Sequence, residues 1–239
     1  MNKYIETSIL LPTKNHEKII KRNISFLKRF MGEHFQNYEI LIISNNSSFD
    51  NAKILNESLF QDPNIRIKYL DEKGKGSAVR WGLNNSKYKN VIIYDSDFSY
   101  SFDLFHNFFE KKLPINPFIY AKRKLNKEII LKTPVLRLVA GYIFNLIVRI
   151  YLQIAAKDTQ AGLKFINLEE FKNASKFENN EYLYDVELFL LAKKSNIEPL
   201  SMDVLEISNS NDSNINLISD SIKMLKNLRE IKYQYLKSL

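Results

Sequence analysis

The chain has 239 residues, 45% of them hydrophobic, enough to bury one sizeable core and short enough that a single compact domain is expected. It has no cysteine, and its three histidines (His16, His34, His106) are scattered, which excludes a disulfide framework, a thiolate metal centre and a histidine cluster; any metal must be held by oxygen. A formal charge of +8 asks for an anionic partner, whether nucleic acid, a phospholipid surface or a phosphorylated small molecule.

At the N-terminus, "MNKYIETSILLPTKN" has too short an apolar core for a signal peptide and no small-residue cleavage pattern, so a cytoplasmic protein is expected. The first strand-like run is "TSILLPT" (7–13), followed by a helical pattern through Ile19, Ile20, Ile24, Phe26, Leu27 and Phe30. "YEILIISNN" (38–46) reads as a second strand, with Ala52, Leu55 and Leu59 at helical spacing behind it. "IRIKYL" (65–70) precedes a helix over Ala78 to Leu83, and "NVIIYDSD" (90–97) is the fourth strand. This alternation predicts an α/β fold, a mostly parallel sheet with helices on both faces, with ligands gathered at the carboxyl ends of the strands. The exits "PTKN", "SNNSSFD" and "DSDFS" should then meet in one crevice.

Residues 134–156, "PVLRLVAGYIFNLIVRIYLQIAA", are greasy, but the run from Leu138 to Val148 contains Asn145 and falls well short of the roughly 20 apolar residues that a membrane span needs. Arg137, Gly141, Asn145, Arg149 and Gln153 recur at every fourth position and draw a narrow polar stripe. Such a helix lies in an interface or packs on protein. "KDTQAGLKFI" (157–166) and "YLYDVELFLLAKKS" (182–195) pair polar clusters with a strand-like and a helix-like segment. "SNSNDSNIN" (208–216) is a polar loop, and the tail places Leu217, Ile218, Ile222, Leu225, Leu228, Ile231 and Tyr235 on one stripe with Lys223, Lys226, Arg229 and Lys232 largely off it, a basic amphipathic helix.

Asp95 and Asp97 leave the fourth strand one residue apart. If the chain turns after Tyr94, both carboxylates can face a hard divalent cation, Mg²⁺ or Mn²⁺, which takes oxygen ligands and keeps waters and substrate phosphates in its shell. A solvated turn capping a helix is the plainer reading of the same residues. In "DEKGKGSAVRWGL" (71–83), Gly74 and Gly76 free the backbone and Lys73, Lys75 and Arg80 bring positive charge to a helix start near Ser77, a setting that favours phosphate. Neither the P-loop nor the dinucleotide spacing is present, so a lysine-rich turn and a binding loop both stay open.

"LLPTKNHE", "IISNNSSFD", "KGKGSAVRWGL", "IIYDSDFS", "DTQAGLKFI" and "YLYDVELFLLA", in this order, resemble glycosyltransferase family 2, and most nearly the branch that charges dolichyl or polyprenyl phosphate with glucose or mannose. The resemblance spans roughly residues 7–230. It implies a GT-A fold, a nucleotide-sugar donor, a divalent metal on Asp95 and Asp97, and inverting transfer. By that resemblance Pro12, Thr13, Asn15, Glu17, Asn46 and Asp50 line the nucleotide pocket, with Lys75, Gly76, Arg80, Asp95 and Ser96 completing the donor side. Arg123 matches an arginine that grips phosphate, and Asp158, Gln160, Gly162, Lys164 and Asp185 border the acceptor, with Lys164 or Arg123 holding its phosphate. Salt-bridge and capping roles for Asp158, Lys164 and Asp185 stay open beside these. The chain departs from the family where Asn45 and Asn46 replace two acids, where His16 intervenes before Glu17, and where Ser99 replaces a frequent glutamine.

The resemblance implies a donor-binding half (1–125), an acceptor-side half with an interfacial helix (126–207), and a loop with a basic tail helix (208–239). A phosphomonoester acceptor, with a second pKa of about 6, needs no strong base, whereas a hydroxyl acceptor would call on Asp185 or Glu187. The expected partners are a nucleotide sugar, a polyprenyl phosphate and the cytoplasmic membrane surface, approached peripherally; packing of the greasy helix on a second copy is the alternative. The basic residues are dispersed and no nucleic-acid motif occurs, which speaks against nucleic acid. Transfer to a saccharide hydroxyl and a noncatalytic descendant that only binds sugar nucleotide remain as other readings.

Overall fold

The computed structural model describes residues 4–109, 116–124, 135–205 and 227–235, with backbone alone for 107, 108, 135–141 and 205. The strands are β1 (Thr7–Thr13), β2 (Tyr38–Asn45), β3 (Ile65–Leu70), β4 (Asn90–Tyr94), β5 (Phe118–Lys124), β6 (Leu163–Asn167) and β7 (Leu200–Leu205). The helices are α1 (Glu17–His34), the single turn α2 (Phe49–Ala52), α3 (Lys75–Asn85), α4 (Leu104–Phe109), α5 (Val135–Leu152), α6 (Tyr184–Lys194) and α7 (227–235).

One seven-stranded sheet runs in the order β3-β2-β1-β4-β6-β5-β7. β1 to β4 are mutually parallel, as are β5 and β7, and β6 runs against both of its neighbours. Continuous apolar runs are what a strand needs when helices cover both of its faces, and every residue of β1 and β4 is buried. α1 offers Ile20, Ile24, Leu27 and Met31 to one side of the sheet, while α3 and α6 pack on the other.

Strand order reverses at β1, which has β2 on one flank and β4 on the other. β1 stays paired with β2 as far as Thr13, opposite Ser44, but its pairing with β4 ends at Leu10 and Ile93. Pro12, which has no N–H to donate, lies beyond that point. The two strands part there, and the gap at a topological switch point is where ligands of such sheets bind.

Three expectations need correcting. Phe26, one of the apolar residues of the α1 pattern, does not join the core: it is 56% exposed, with the Arg29 guanidinium 5.5 Å above its ring. The segment carrying Ala52, Leu55 and Leu59 is no single helix: α2 passes into 3₁₀ turns over 53–56 and 58–60, and extended backbone at Glu57 (φ −69°, ψ 153°) separates them. On the tail helix, Leu228, Ile231 and Tyr235 are buried against the protein, so its apolar face is already covered. The 208–216 loop and the tail stripe before residue 227 lie outside the described residues.

The polar stripe of α5 is only partly covered, and Gln153, just past the helix end, is exposed. Asn145 and Arg149 are half-buried beside Val148 and Leu152, whereas Tyr142, Ile143, Leu146 and Ile150 face out, Tyr142 and Ile150 being 72% and 71% exposed. No helix among the described residues is long and apolar enough to cross a membrane.

Candidate active site

The chain leaves β4 at Tyr94 and turns at once. The Phe98 amide donates to the Asp95 carbonyl (3.1 Å), Phe98 takes a positive φ of 56°, and the Ser99 amide donates to Asp97 Oδ1 (3.0 Å). The Tyr94 hydroxyl, pushed up in pKa chiefly by burial, donates to the Tyr100 carbonyl and closes the turn from beneath. The Asp95 amide donates to Gly162 O (3.0 Å). A Cβ on Gly162 would lie 2.2 Å from Asp95 Oδ2, so the glycine is what gives that carboxylate its place.

Lys75 Nζ sits 2.5 Å from Asp95 Oδ1. Burial penalises the ammonium, yet Asp95, Asp185 and Asp97 around it outweigh that cost and hold its pKa above the ordinary value. Among the described residues no three histidine or acidic side chains gather to hold a metal. Asp95 and Asp97 still present an oxygen-only donor pair at the crevice, which fits a hard cation that completes its shell with water and donor phosphates. Ser96, between them, shares a hydrogen bond with His16 Nδ1 (3.3 Å).

On the nucleotide side, Glu17 is fully buried and accepts from Ser44 Oγ (2.9 Å) through one carboxylate oxygen. Its other oxygen and Thr13 Oγ1 have no hydrogen-bond partner among the described residues. Pro12 is buried beside them; Asn15, Asn46 and Asp50 are exposed. Asn15, at φ 61°, ties two loops by accepting from the Ser48 amide (2.8 Å) and donating its own amide to Ser47 Oγ (3.0 Å). Asn45 gives its side-chain amide to Glu72 O (2.5 Å) and Ser77 Oγ (3.0 Å). An aspartate there would set a carboxylate against the Glu72 carbonyl with no proton to offer, which accounts for the amide in place of an acid.

Gly76 and Arg80 have a different role from the expected phosphate cradle. Cβ atoms on Gly74 and Gly76 would lie 2.0 Å from Asn180 O and 2.2 Å from Asn179 O, and the Ser77 amide already donates to Asn180 O (3.2 Å). Arg80 donates to the Phe177 and Glu178 carbonyls (3.3 Å each) and to Asn180 Oδ1 (2.5 Å). The glycines therefore admit a neighbouring loop, and Lys75 alone of this turn reaches the aspartates.

The acceptor-side residues come together in the β5–β6–α6 region, already paired. Arg123 clamps Asp158 through Nε (2.8 Å) and Nη2 (3.0 Å) and remains 40% exposed. Lys164 is 1% exposed, lies 2.7 Å from Asp185 Oδ1 and donates to Ala161 O (2.6 Å). It is buried in this ion pair, the salt-bridge role left open above, and of the two residues expected to hold an acceptor phosphate only Arg123 is substantially exposed. Asp185 is buried in that pair, and Glu187 accepts from the Glu178 amide (2.6 Å), the Asn179 amide (3.2 Å) and Tyr235 Oη (3.0 Å). Gln160 is half-buried, and next to it Thr159 Oγ1 is buried without a partner among the described residues. The loop at 177–181 and Tyr100 carry no local signal in the sequence, and the stripe that includes Tyr235 does not disclose its hydroxyl's partner, which is remote along the chain.

Burial works against ionisation of Asp158, but the Arg123 guanidinium prevails and holds its pKa below the ordinary 3.8. The stabilisation from this shift is fully present above the ordinary value and is lost as pH falls through the lower folded one. Denaturant melts of Asp158→Asn should show a loss of about 2 kcal/mol at pH 7, shrinking as pH drops below 4. An undiminished gap in acid would contradict the pairing.

The sequence model described as glycosyl transferase family 2 matches residues 8–132. A dolichyl-phosphate β-glucosyltransferase of Dictyostelium discoideum is 26% identical, over 97% of this chain and 75% of its own length; the protein of that name from Saccharomyces cerevisiae is 28% identical, over 96% and 75%. The fold is similar to that of mannosyl-3-phosphoglycerate synthase from Rubrobacter xylanophilus (TM-score 0.70, 14% identity, 96% of this chain and 74% of that one). It is likewise similar to glucosyl-3-phosphoglycerate synthase from Mycobacterium tuberculosis, solved with Mn²⁺, uridine diphosphate and glucosyl-3-phosphoglycerate (TM-score 0.67, 14% identity, 95% and 79%). Both are GT-A glycosyltransferases.

Proposed function

This chain belongs to glycosyltransferase family 2, and on that footing we propose that it transfers a glucosyl group from a nucleoside-diphosphate donor to a polyprenyl phosphate at a membrane surface. The observation that carries the choice of acceptor is the state of the two candidate bases. Asp185 is buried against Lys164, and Glu187 is buried with its Oε2 under three donors, so neither carboxylate is presented at the surface where a sugar hydroxyl would enter. A phosphate acceptor needs no such group, being largely dianionic at neutral pH with a second pKa of about 6.

In this reading a phosphate oxygen attacks the anomeric carbon as the bond to the diphosphate breaks, and the electron pair leaves with the diphosphate. Attack from the face opposite the leaving group inverts the centre. Thr13 and Glu17, with unpartnered buried oxygens, would meet the nucleotide, and Arg123 would turn its exposed guanidinium to the acceptor phosphate. Lys75, beside Asp95, would face the negative charge that grows on the leaving group. Asp95 and Asp97 would hold Mg²⁺ or Mn²⁺, which supplies electrostatic stabilisation of that charge when bound.

The exposed stripe Tyr142, Ile143, Leu146 and Ile150 supports membrane docking, with Lys232 Nζ 4.1 Å from the centre of the adjacent Tyr151 ring as a site for anionic headgroups. Ile150→Glu should lower cosedimentation with vesicles of anionic phospholipid about tenfold while leaving the thermal melt unchanged; undiminished binding would remove this surface from the account. For the reaction itself, the protein with Mn²⁺ and a panel of nucleotide sugars should release nucleoside diphosphate only when polyprenyl phosphate is added. Release with a free glycan alone would favour transfer to a hydroxyl.

A further inference from the structure

Glu187 falls outside the chemistry above, yet it is one of the most heavily committed groups in the protein. A single carboxylate oxygen, Oε2, receives the Glu178 amide, the Asn179 amide and Tyr235 Oη at 2.6, 3.2 and 3.0 Å. Two of these donors belong to the loop at 177–181 and the third to α7. Burial raises the pKa of this group, against the pull of the three donors. The loop it holds is the surface on which the glycine turn rests: Asn180 O accepts from the Ser77 amide, and the backbone of Asn179 and Asn180 fills the space that side chains at Gly76 and Gly74 would need. Between those glycines, Lys75 reaches Asp95.

We propose that Glu187 is a positioning residue for the donor side of the crevice, and that the seating of α7 through Tyr235 sets the place of the glycine turn and of Lys75 beside Asp95. It rests on the donor site described under Proposed function and adds to it a regulating element. α7 is also fastened to the helix that carries the outward apolar stripe: Lys232 lies over the Tyr151 ring of α5, and Lys194 of α6 lies 5.1 Å from the centre of the Tyr235 ring. α7 thus touches both the helix whose stripe is proposed to meet a lipid surface and the glutamate that holds the donor loop. Of the contacts in this line, the Tyr235 hydroxyl is the one that a substitution removes without emptying the core, because phenylalanine keeps the ring.

The test uses the full chain with Tyr235→Phe and, separately, Glu187→Gln, with Glu230→Gln on the exposed side of α7 as the control. Tyr235→Phe should weaken binding of Mn²⁺ with uridine diphosphate about tenfold, the scale of one lost hydrogen bond to a buried charge. In turnover, KM for the donor should rise while KM for the lipid phosphate stays put. Amide exchange supplies a readout that needs no ligand: Glu178, Asn179 and Ser77 should lose protection in both variants and keep it in the control. Unchanged exchange at Ser77, with faster exchange at Glu178 and Asn179, would end the link at the loop and overturn the proposal. Equal rises in both KM values would overturn it as well, as a general loosening would. Failure of the unmodified chain to bind Mn²⁺ with uridine diphosphate would count against the donor reading, and exchange at Ser77 would still decide this one.

Discussion

Asp97→Ala is expected to reduce transfer by at least 100-fold and to abolish its dependence on Mn²⁺, with little change in the thermal melt. The aspartate sits in a turn whose closure relies on Tyr94, Phe98 and Tyr100, and its carboxylate accepts from the Ser99 amide at the turn itself. Removing the carboxylate therefore takes little from the fold and removes one of the two acids proposed to hold the cation. Isothermal titration with Mn²⁺ and uridine diphosphate, set beside steady-state turnover, checks the result. Donor binding and turnover equal to those of the unmodified chain would show that this pair holds no cation, and would favour a protein that binds sugar nucleotide without reacting it.

Gly162→Ala should be almost as damaging from the opposite wall. The new methyl would meet Asp95 Oδ2 at 2.2 Å, Cγ at 2.5 Å and Cβ at 2.9 Å, and the last of these moves only with the β4 backbone. The carboxylate must swing out of its seat, breaking the contact with Lys75 and spoiling the pair with Asp97. A displacement of about 1 Å in a reacting group is enough for roughly 100-fold in rate, and the strain should cost about 1–3 kcal/mol of stability. Turnover together with a denaturant melt separates the two losses. Turnover within a few-fold of normal would mean that Asp95 has room the structure does not show.

The aspartate turn and the parallel half of the sheet were readable because each rests on short-range pattern: an unbroken apolar run, then acids and a turn. Of the two roles left open for Lys164, the structure takes the salt bridge, and the reason is physical. Alternation in "LKF" ordinarily marks a lysine facing water, but β6 lies between β4 and β5, and Asp185 supplies the counter-charge that allows burial. The glycines at 74 and 76 were visible as special, although what they make room for is more than 100 residues away. The stripe on the tail helix was also visible, but an apolar face looks the same whether bilayer or protein covers it. α5 shows the same limit: its pattern left interface and protein packing open, and the structure half-buries Asn145 and Arg149 while Tyr142 and Ile150 face out.

The contact between Lys75 and Asp95 bears on the order of events. Asp95 already has a counter-ion within the chain, so at the proposed site a bare divalent ion would have to displace an ammonium and would gain only part of the Coulomb energy it would find at an unshielded carboxylate. An ion arriving already chelated by a sugar diphosphate brings the anion to which that ammonium can transfer its allegiance. On the proposed metal site, ordered addition, with ion and donor entering as one body, would then follow from a single lysine, and traces of free metal would leave the protein largely untouched.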